Sequence, residues 1–377
     1  MSSSKELYTR LINTLSPLVS VAHIAHLTNW VWIVVGILQA NSMALSRIAT
    51  HIPGDAKAES RVTTIRRWLK NFRVDVWEFY RPVLEQTLQG WQTVTAIVIL
   101  DGVMVFGDRW QVFRLSLAHG GRAIPLVWLV LPGKGLTQME KLETMLRRAA
   151  AFLNPRVKHV IFLADSGFRD CDWAHLCLKI GWNYAIRIAG NTYVTLNNDW
   201  YGSIQQLGVQ PGQRRYYPQV WLTQDRKLFT NLSVTWTPGD EKNPPELLAL
   251  ISSQPAARAR LREYAVRMHT EESFRDDKSG GFDMAHTRLQ HADRLERLLL
   301  ALAIAKLWCH ELGEQVLEHG EACRRTIDPG PTRELSVFQL GLRWLKRCVS
   351  TNLSLLPAFM ARLSPLRHLV IVSAGVS

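Results

Sequence analysis

Residues 21–38 form an apolar stretch with few breaks, and the pattern predicts a buried helix there. A short amphipathic segment at 44–51 follows, and Pro53-Gly54-Asp55 punctuates it. A longer helical period over 58–72 carries Arg61, Arg66, Arg67 and Lys70, with Arg73 beside it. The first 90 residues therefore read as helices. From residue 92 the texture changes. Runs at 93–100, 103–106, 112–117 and 124–131, rich in Val, Ile and Leu, predict strands separated by Gly and polar residues. A helical period at 138–152, a strand at 157–163, a helix at 170–180 and a strand at 182–188 follow. The order reduces to three strands, helix, strand, helix, strand: an α/β fold with a mixed sheet and helices on its faces.

Residues 190–255 break that pattern, with strand-like pieces at 193–196, 219–222 and 228–236 among Gly, Pro and Asn turns. They predict a β-rich insertion. Helices are expected again at 256–278 and 294–317, and a helical tail over 335–363 after Asp328-Pro329-Gly330-Pro331. The division expected is a helical part at 1–90, an α/β core at 91–189 and 256–320, the insertion at 190–255, and a helical C-terminal region at 321–377. No internal repeat is visible.

Composition narrows the functional class. The 377 residues include 45 Lys+Arg and 32 Asp+Glu, a net charge of +13, which favours a polyanionic partner, most simply nucleic acid. A hydrophobic content of 47% excludes wholesale disorder. The 21–38 stretch is interrupted, and its best unbroken apolar part, Trp30 to Leu38, is far short of the roughly 18–20 residues of a spanning helix, so no membrane association is expected. Five cysteines without a C-x-x-C pair argue against a disulfide framework or structural zinc, and with the polar N-terminus point to a reducing cytoplasm. Short helix, turn and basic helix over 44–73 is the outline of a helix-turn-helix. That makes Arg61, Arg66, Lys70 and Arg73 candidates for DNA contact; an ordinary helical bundle with a solvated basic face has the same outline.

Two apolar runs end in carboxylates: 94–100 before Asp101-Gly102, and 160–164 before Asp165-Ser166-Gly167. Open α/β sheets place ligands at such strand ends, and paired acids suit a hard cation such as Mg²⁺. Asp-Gly is also a hairpin signal, and Asp-Ser-Gly also a helix cap. A third acid lies in the helix expected at 256–278. At about 100° per residue, Tyr264, Arg267, Glu271 and Lys278 fall within roughly 60° of one another, whereas Glu272 lies about 100° from Glu271. A solvated helix with i,i+4 ion pairs would show the same spacing.

The series Tyr264-(2)-Arg267-(3)-Glu271-(6)-Lys278 resembles the Y-(2)-R-(3)-E-(6)-K signature of insertion-sequence DDE transposases of the IS-four type. Asp101 and Asp165 resemble that family's first two catalytic aspartates, and the gap of 106 residues from Asp165 to Glu271 leaves room for its β-rich insertion. The resemblance covers about residues 92–315. It implies a ribonuclease H-like core and a cut-and-paste transposase. Two Mg²⁺ ions, for which Mn²⁺ can substitute, would be held by Asp101, Asp165 and Glu271, with Asp101 shared between them. Arg267 and Lys278 would grip phosphates near the scissile bond, and Tyr264 would hydrogen-bond another. Water would nick the strand and a 3′-hydroxyl would then attack, through a hairpin intermediate in some members. For those members Trp236, with Trp221 second, is the candidate for stacking on a flipped base. The partners implied are double-stranded DNA with terminal inverted repeats, target DNA, and a second copy of the chain on the DNA, in the bacterial cytoplasm with the nucleoid. Two other readings stay open: a metal-dependent nuclease or host-adapted recombinase, and a DNA-binding regulator with a silent core.

Overall fold

Five helices open the structure, a computed structural model that describes residues 3–133, 139–168, 171–239, 244–351 and 353–365. They are α1 (Ser3–Leu18), α2 (Ile24–Ala40), α3 (Leu45–Thr50), α4 (Ala58–Lys70) and α5 (Val76–Thr87). The uniformly apolar α2 is buried along most of its length and stops where Asn41 turns left-handed, φ 46°. A Cβ on Gly36 would lie 2.5 Å from the Ile48 side chain, so glycine is what lets α3 cross α2 this closely. Helix α4 buries Ile65, Trp68 and Leu69 and turns its basic residues outward. The Trp68 indole N–H donates to the His26 carbonyl at 2.8 Å and fixes that orientation.

The sheet follows. β1 (Thr95–Val105), β2 (Trp110–His119) and β3 (Arg122–Pro132) form an antiparallel meander. After α6 (Met139–Leu153), β4 (His159–Ala164) returns parallel to β1; after α7 (Cys171–Lys179), β5 (Asn183–Ile188) lies parallel to β4. The order β3-β2-β1-β4-β5 is a mixed sheet of ribonuclease H-like form, with helical extensions on both sides in sequence. Asp101-Gly102 is not a hairpin: β1 runs through it to Val105, and the chain turns at Phe106-Gly107-Asp108, all at positive φ.

The β-rich stretch continues this same sheet. Its strands are β6 (Tyr193–Thr195), β7 (Tyr201–Ser203), β8 (Arg215–Leu222), β9 (Leu228–Trp236) and β10 (Leu247–Ser252). β10, a leucine-rich strand the sequence pattern did not reveal, pairs antiparallel with β5 and brings the rest after it, ten strands in all.

The helix expected over 256–278 is interrupted. α8 (Arg258–Ala265) gives way at Val266-Arg267 to tight i→i+3 hydrogen bonds, and α9 (Met268–Arg275) passes into a π-turn (Asp276–Gly280). A small apolar cluster of Ile97, Ile99, Ala118, Ala123, Ile161, Leu163, Ala185 and Val266 sits between the sheet and this segment. Then α10 (Ala292–Glu318) runs past the N-terminal helices and the β3 edge, where the Glu296 carboxylate accepts the Val130 N–H at 2.9 Å. α11 (Glu321–Arg325) and α12 (Val337–Ser350) complete the helices.

The tail is not helical to residue 363. α12 ends at Ser350, and residues 356–364 cross the structure as an irregular strap that buries Phe359, Ala361 and Leu363. The strap's backbone N–H groups donate to acids of α10: Met360 and Arg362 to Glu311, at 2.7 and 3.2 Å, and Ser364 to Glu314 at 3.1 Å. Burial pushes the Glu311 carboxyl up to about 8, against the pull of those N–H groups and with added push from Glu314. The ordinary value is 4.5, so between 4.5 and about 8 the folded chain holds a proton that the unfolded chain has released. Stability should fall as pH rises through that window, by on the order of a few kcal/mol from this group. Urea unfolding of the wild type and Glu311→Gln across the window checks it; parallel pH profiles for the two proteins contradict it.

Candidate active site

Register places the first two acids. β1 and β4 pair in parallel as far as Leu100 and Ala164, so Asp101 and Asp165 occupy the next position of each strand, side by side on one sheet face. The Asp101 carboxylate accepts the Gly102 N–H at 2.8 Å, and Asp165 accepts the Gly167 N–H at 2.8 Å. The capping pattern of Asp165-Ser166-Gly167 is thus real, and it leaves the carboxylate at the cleft. The third acid comes from α9. The Ser273 hydroxyl donates to the Ala123 carbonyl of β3 (3.1 Å) and accepts the Ala123 N–H (2.8 Å), clamping the helix to the sheet where alanines leave room. Glu271 then faces the strand ends, while Glu272 turns away to Arg122 and Arg275.

Asp101, Asp165, Arg267, Glu271 and Lys278 line one cleft of about 450 Å³, with Phe274 and Arg275. Within it Arg267 is a cross-link, 2.6 Å from Glu271 and 3.5 Å from Asp101, and its side chain is only 14% exposed. Burial pushes the Asp101 carboxyl above its ordinary range; Arg267 and the Gly102 N–H oppose this, and Asp165 and Glu271 add to it. Burial works against the Arg267 charge, but Tyr264, Glu271 and Asp101 hold it firmly protonated. Among the described residues, no three His, Cys, Asp or Glu side chains stand close enough together to hold a metal ion.

The remaining sequence candidates divide. Lys278 is exposed at the cleft wall. Tyr264 is buried with Arg267 over its ring, 5.9 Å from the centroid, and burial raises its pKa to about 12 while Arg267 opposes the shift. Trp236 lies on the sheet face opposite the carboxylates, half-buried beside a cleft, with its indole N–H donating to the Val209 carbonyl at 2.6 Å. Trp221 is on the carboxylate face and 36% exposed, beside Phe229 at 4.9 Å and near exposed Tyr201. On α4, Arg66 and Lys70 are exposed, Arg61 donates to the Gly54 carbonyl, and Arg73 lies just beyond near the Phe72 ring.

The sequence reading missed what holds the Lys278 turn. Asp277 is buried between Arg114 of β2 (2.6 Å) and Lys306 of α10, and Lys306 also donates to the Ser273 carbonyl at 3.0 Å. Asp276 accepts from Arg122 (2.7 Å) and Gln339 (3.1 Å). A lone lysine inside the apolar run 298–308 was the available signal for the first of these.

No family model matches the chain, and no curated protein matches it. Among solved structures it is similar to the piggyBac transposase in a synaptic complex with hairpin DNA, at 11% identity and a TM-score of 0.42, over 93% of this chain and 82% of that one. The fold assignment rests on strand order and register, not on that likeness. Among the described residues no helix is long and apolar enough to cross a membrane.

Proposed function

We propose that this chain acts on DNA and that its cleft supports phosphoryl transfer at the backbone, as a nuclease, recombinase or transposase. One observation carries the reading: adjacent strand register sets Asp101 beside Asp165, and a helix clamped across the sheet brings Glu271 to the same cleft. Three carboxylate groups are the donor chemistry a hard divalent cation takes; in this structure they stand too far apart to share one ion, so Asp101, Asp165 and Glu271 would hold it only once Arg267 is displaced and the three close together. When bound, Mg²⁺ would polarise a phosphoryl oxygen and lower the pKa of an attacking water. The protein's own part is to orient the strand: Lys278, exposed on the cleft wall, supports a phosphate contact, and Arg267 can pass from the carboxylates to a phosphate. The narrower form of this reading is cut-and-paste transposition, with two ions, terminal inverted repeats, a target duplex and two protein copies on the DNA.

A second reading has its own observation. The Arg267 cross-link neutralises two of the three acids, as in a DNA-binding protein whose core is silent. Incubating the protein with supercoiled plasmid and Mg²⁺ or Mn²⁺ separates the two. Divalent-dependent nicking is the expected result. DNA binding without nicking at any divalent concentration would leave the second reading standing.

A further inference from the structure

A second cleft, of about 210 Å³, lies between α4 and the segment leading into α10. Arg66 stands on one wall, Arg288 and Arg294 on the other, and Leu69 and Leu289 form an apolar floor. No carboxylate lines it. The acids closest in sequence are engaged elsewhere: Asp293 with Arg297 at 2.7 Å, Glu296 with the Val130 N–H, and Asp283 with Arg47 at 3.2 Å. The walls are also fixed to each other. Arg297 of α10 donates to the Leu69 carbonyl at 2.9 Å and the Val74 carbonyl at 3.1 Å, at and just past the end of α4. Arg288 adopts a left-handed backbone, φ 52°, a conformation glycine takes more readily than arginine.

Three guanidiniums around one rigid cleft repel one another unless an anion lies between them, and their planar forks suit phosphate oxygens. The cleft also has a direction. Arg67 and Lys70 are exposed on the same helix as Arg66, and Arg288 follows ten residues along the chain from Lys278 at the carboxylate cleft. A run of cations shared by two parts of the fold fits a polyanion rather than a single phosphate. We propose that Arg66, Arg288 and Arg294 clamp backbone phosphates of duplex DNA, holding the N-terminal helices and the carboxylate cleft on one duplex. This rests on DNA as the partner in the proposed function, and not on metal chemistry at Asp101.

The test is fluorescence anisotropy with a labelled duplex of about 30 base pairs, without divalent cations, over about 0.05–0.3 M NaCl. Arg66→Gln/Arg288→Gln/Arg294→Gln should lower the log–log salt slope by about 2–3 units, and each single variant by about one. At about 0.1 M salt each lost contact should weaken binding roughly tenfold. A control triple, Lys179→Gln/Arg325→Gln/Arg343→Gln, removes the same charge at other sites and should keep a near wild-type slope. Thermal unfolding confirms that all variants are folded. An unchanged slope in the cleft triple, or a loss matched by the control, overturns the proposal. Divalent-dependent plasmid nicking by the wild type is read separately, so an inactive protein that keeps the cleft-dependent slope sinks only the catalytic reading, and a loss of that dependence sinks only the clamp.

Discussion

Asp101→Asn is expected to abolish divalent-dependent nicking while leaving duplex affinity unchanged or slightly higher. The side chain is 15% exposed against 46% for Glu271, side by side with Asp165 and 3.5 Å from Arg267. Asparagine keeps its size and can still accept the Gly102 N–H, so the strand is undisturbed. What is lost is one negative charge at the centre of the donor set. If that charge helps hold a cation, its loss removes several kcal/mol of transition-state stabilisation, a rate loss of roughly 10³-fold or more. DNA affinity comes from cations elsewhere, and removing an acid from the cleft reduces repulsion of the backbone. Plasmid nicking and anisotropy on the same preparation check both halves. Nicking at the wild-type rate in Asp101→Asn would refute the site.

Lys306→Met should be the most destabilising of the substitutions considered. Lys306 and Asp277 are both fully buried, and burial alone would neutralise each. Burial pushes the Asp277 carboxyl up, but Lys306 and Arg114 hold it below its ordinary 3.8. The pair's contribution is therefore present above that value and fades as pH falls through the lowered one. Methionine leaves Asp277 with Arg114 alone and should cost about 3–5 kcal/mol, read as a shift of the urea midpoint. Adding Asp277→Asn should deepen that loss rather than restore it, since Arg114, whose side chain is 3% exposed, would then be a buried cation without its carboxylate. A single-variant cost under about 1 kcal/mol would show that the lysine is not held as an ion pair. Because Asp277 sits in the π-turn beside Lys278, a folded variant should also lose DNA affinity.

The central sheet was legible because its strands are apolar on both faces, and Asp101 and Asp165 stand out where that pattern ends. The choice of Glu271 over Glu272 was legible too, since Arg267 and Glu271 are one helical turn apart and meet at 2.6 Å. Beyond that turn the helix is interrupted by i→i+3 hydrogen bonds at Val266 and by the π-turn at Asp276, yet Lys278 still lines the cleft with Glu271 and Tyr264 packs against Arg267. β10 was hidden because a short leucine run is equally a helix or a strand until its partner β5 is known. The strap was read as helix because its apolar residues continue those of α12. Its hydrogen bonds to Glu311 and Glu314 are long-range, and no local pattern encodes them.

The joining of β10 to β5 makes the sheet a long propeller. At the roughly 20–25° by which neighbouring strands ordinarily rotate, the face that carries Asp101 on β1 would turn about a quarter circle by β9 and close to a half circle by β7. Trp221, Phe229 and Tyr201 share that face by register, and such a twist would turn them progressively away from the carboxylates. A straight rod lying along the acids would leave the aromatic end untouched. Only a bent or branched body, or one approaching from the far side, can meet both.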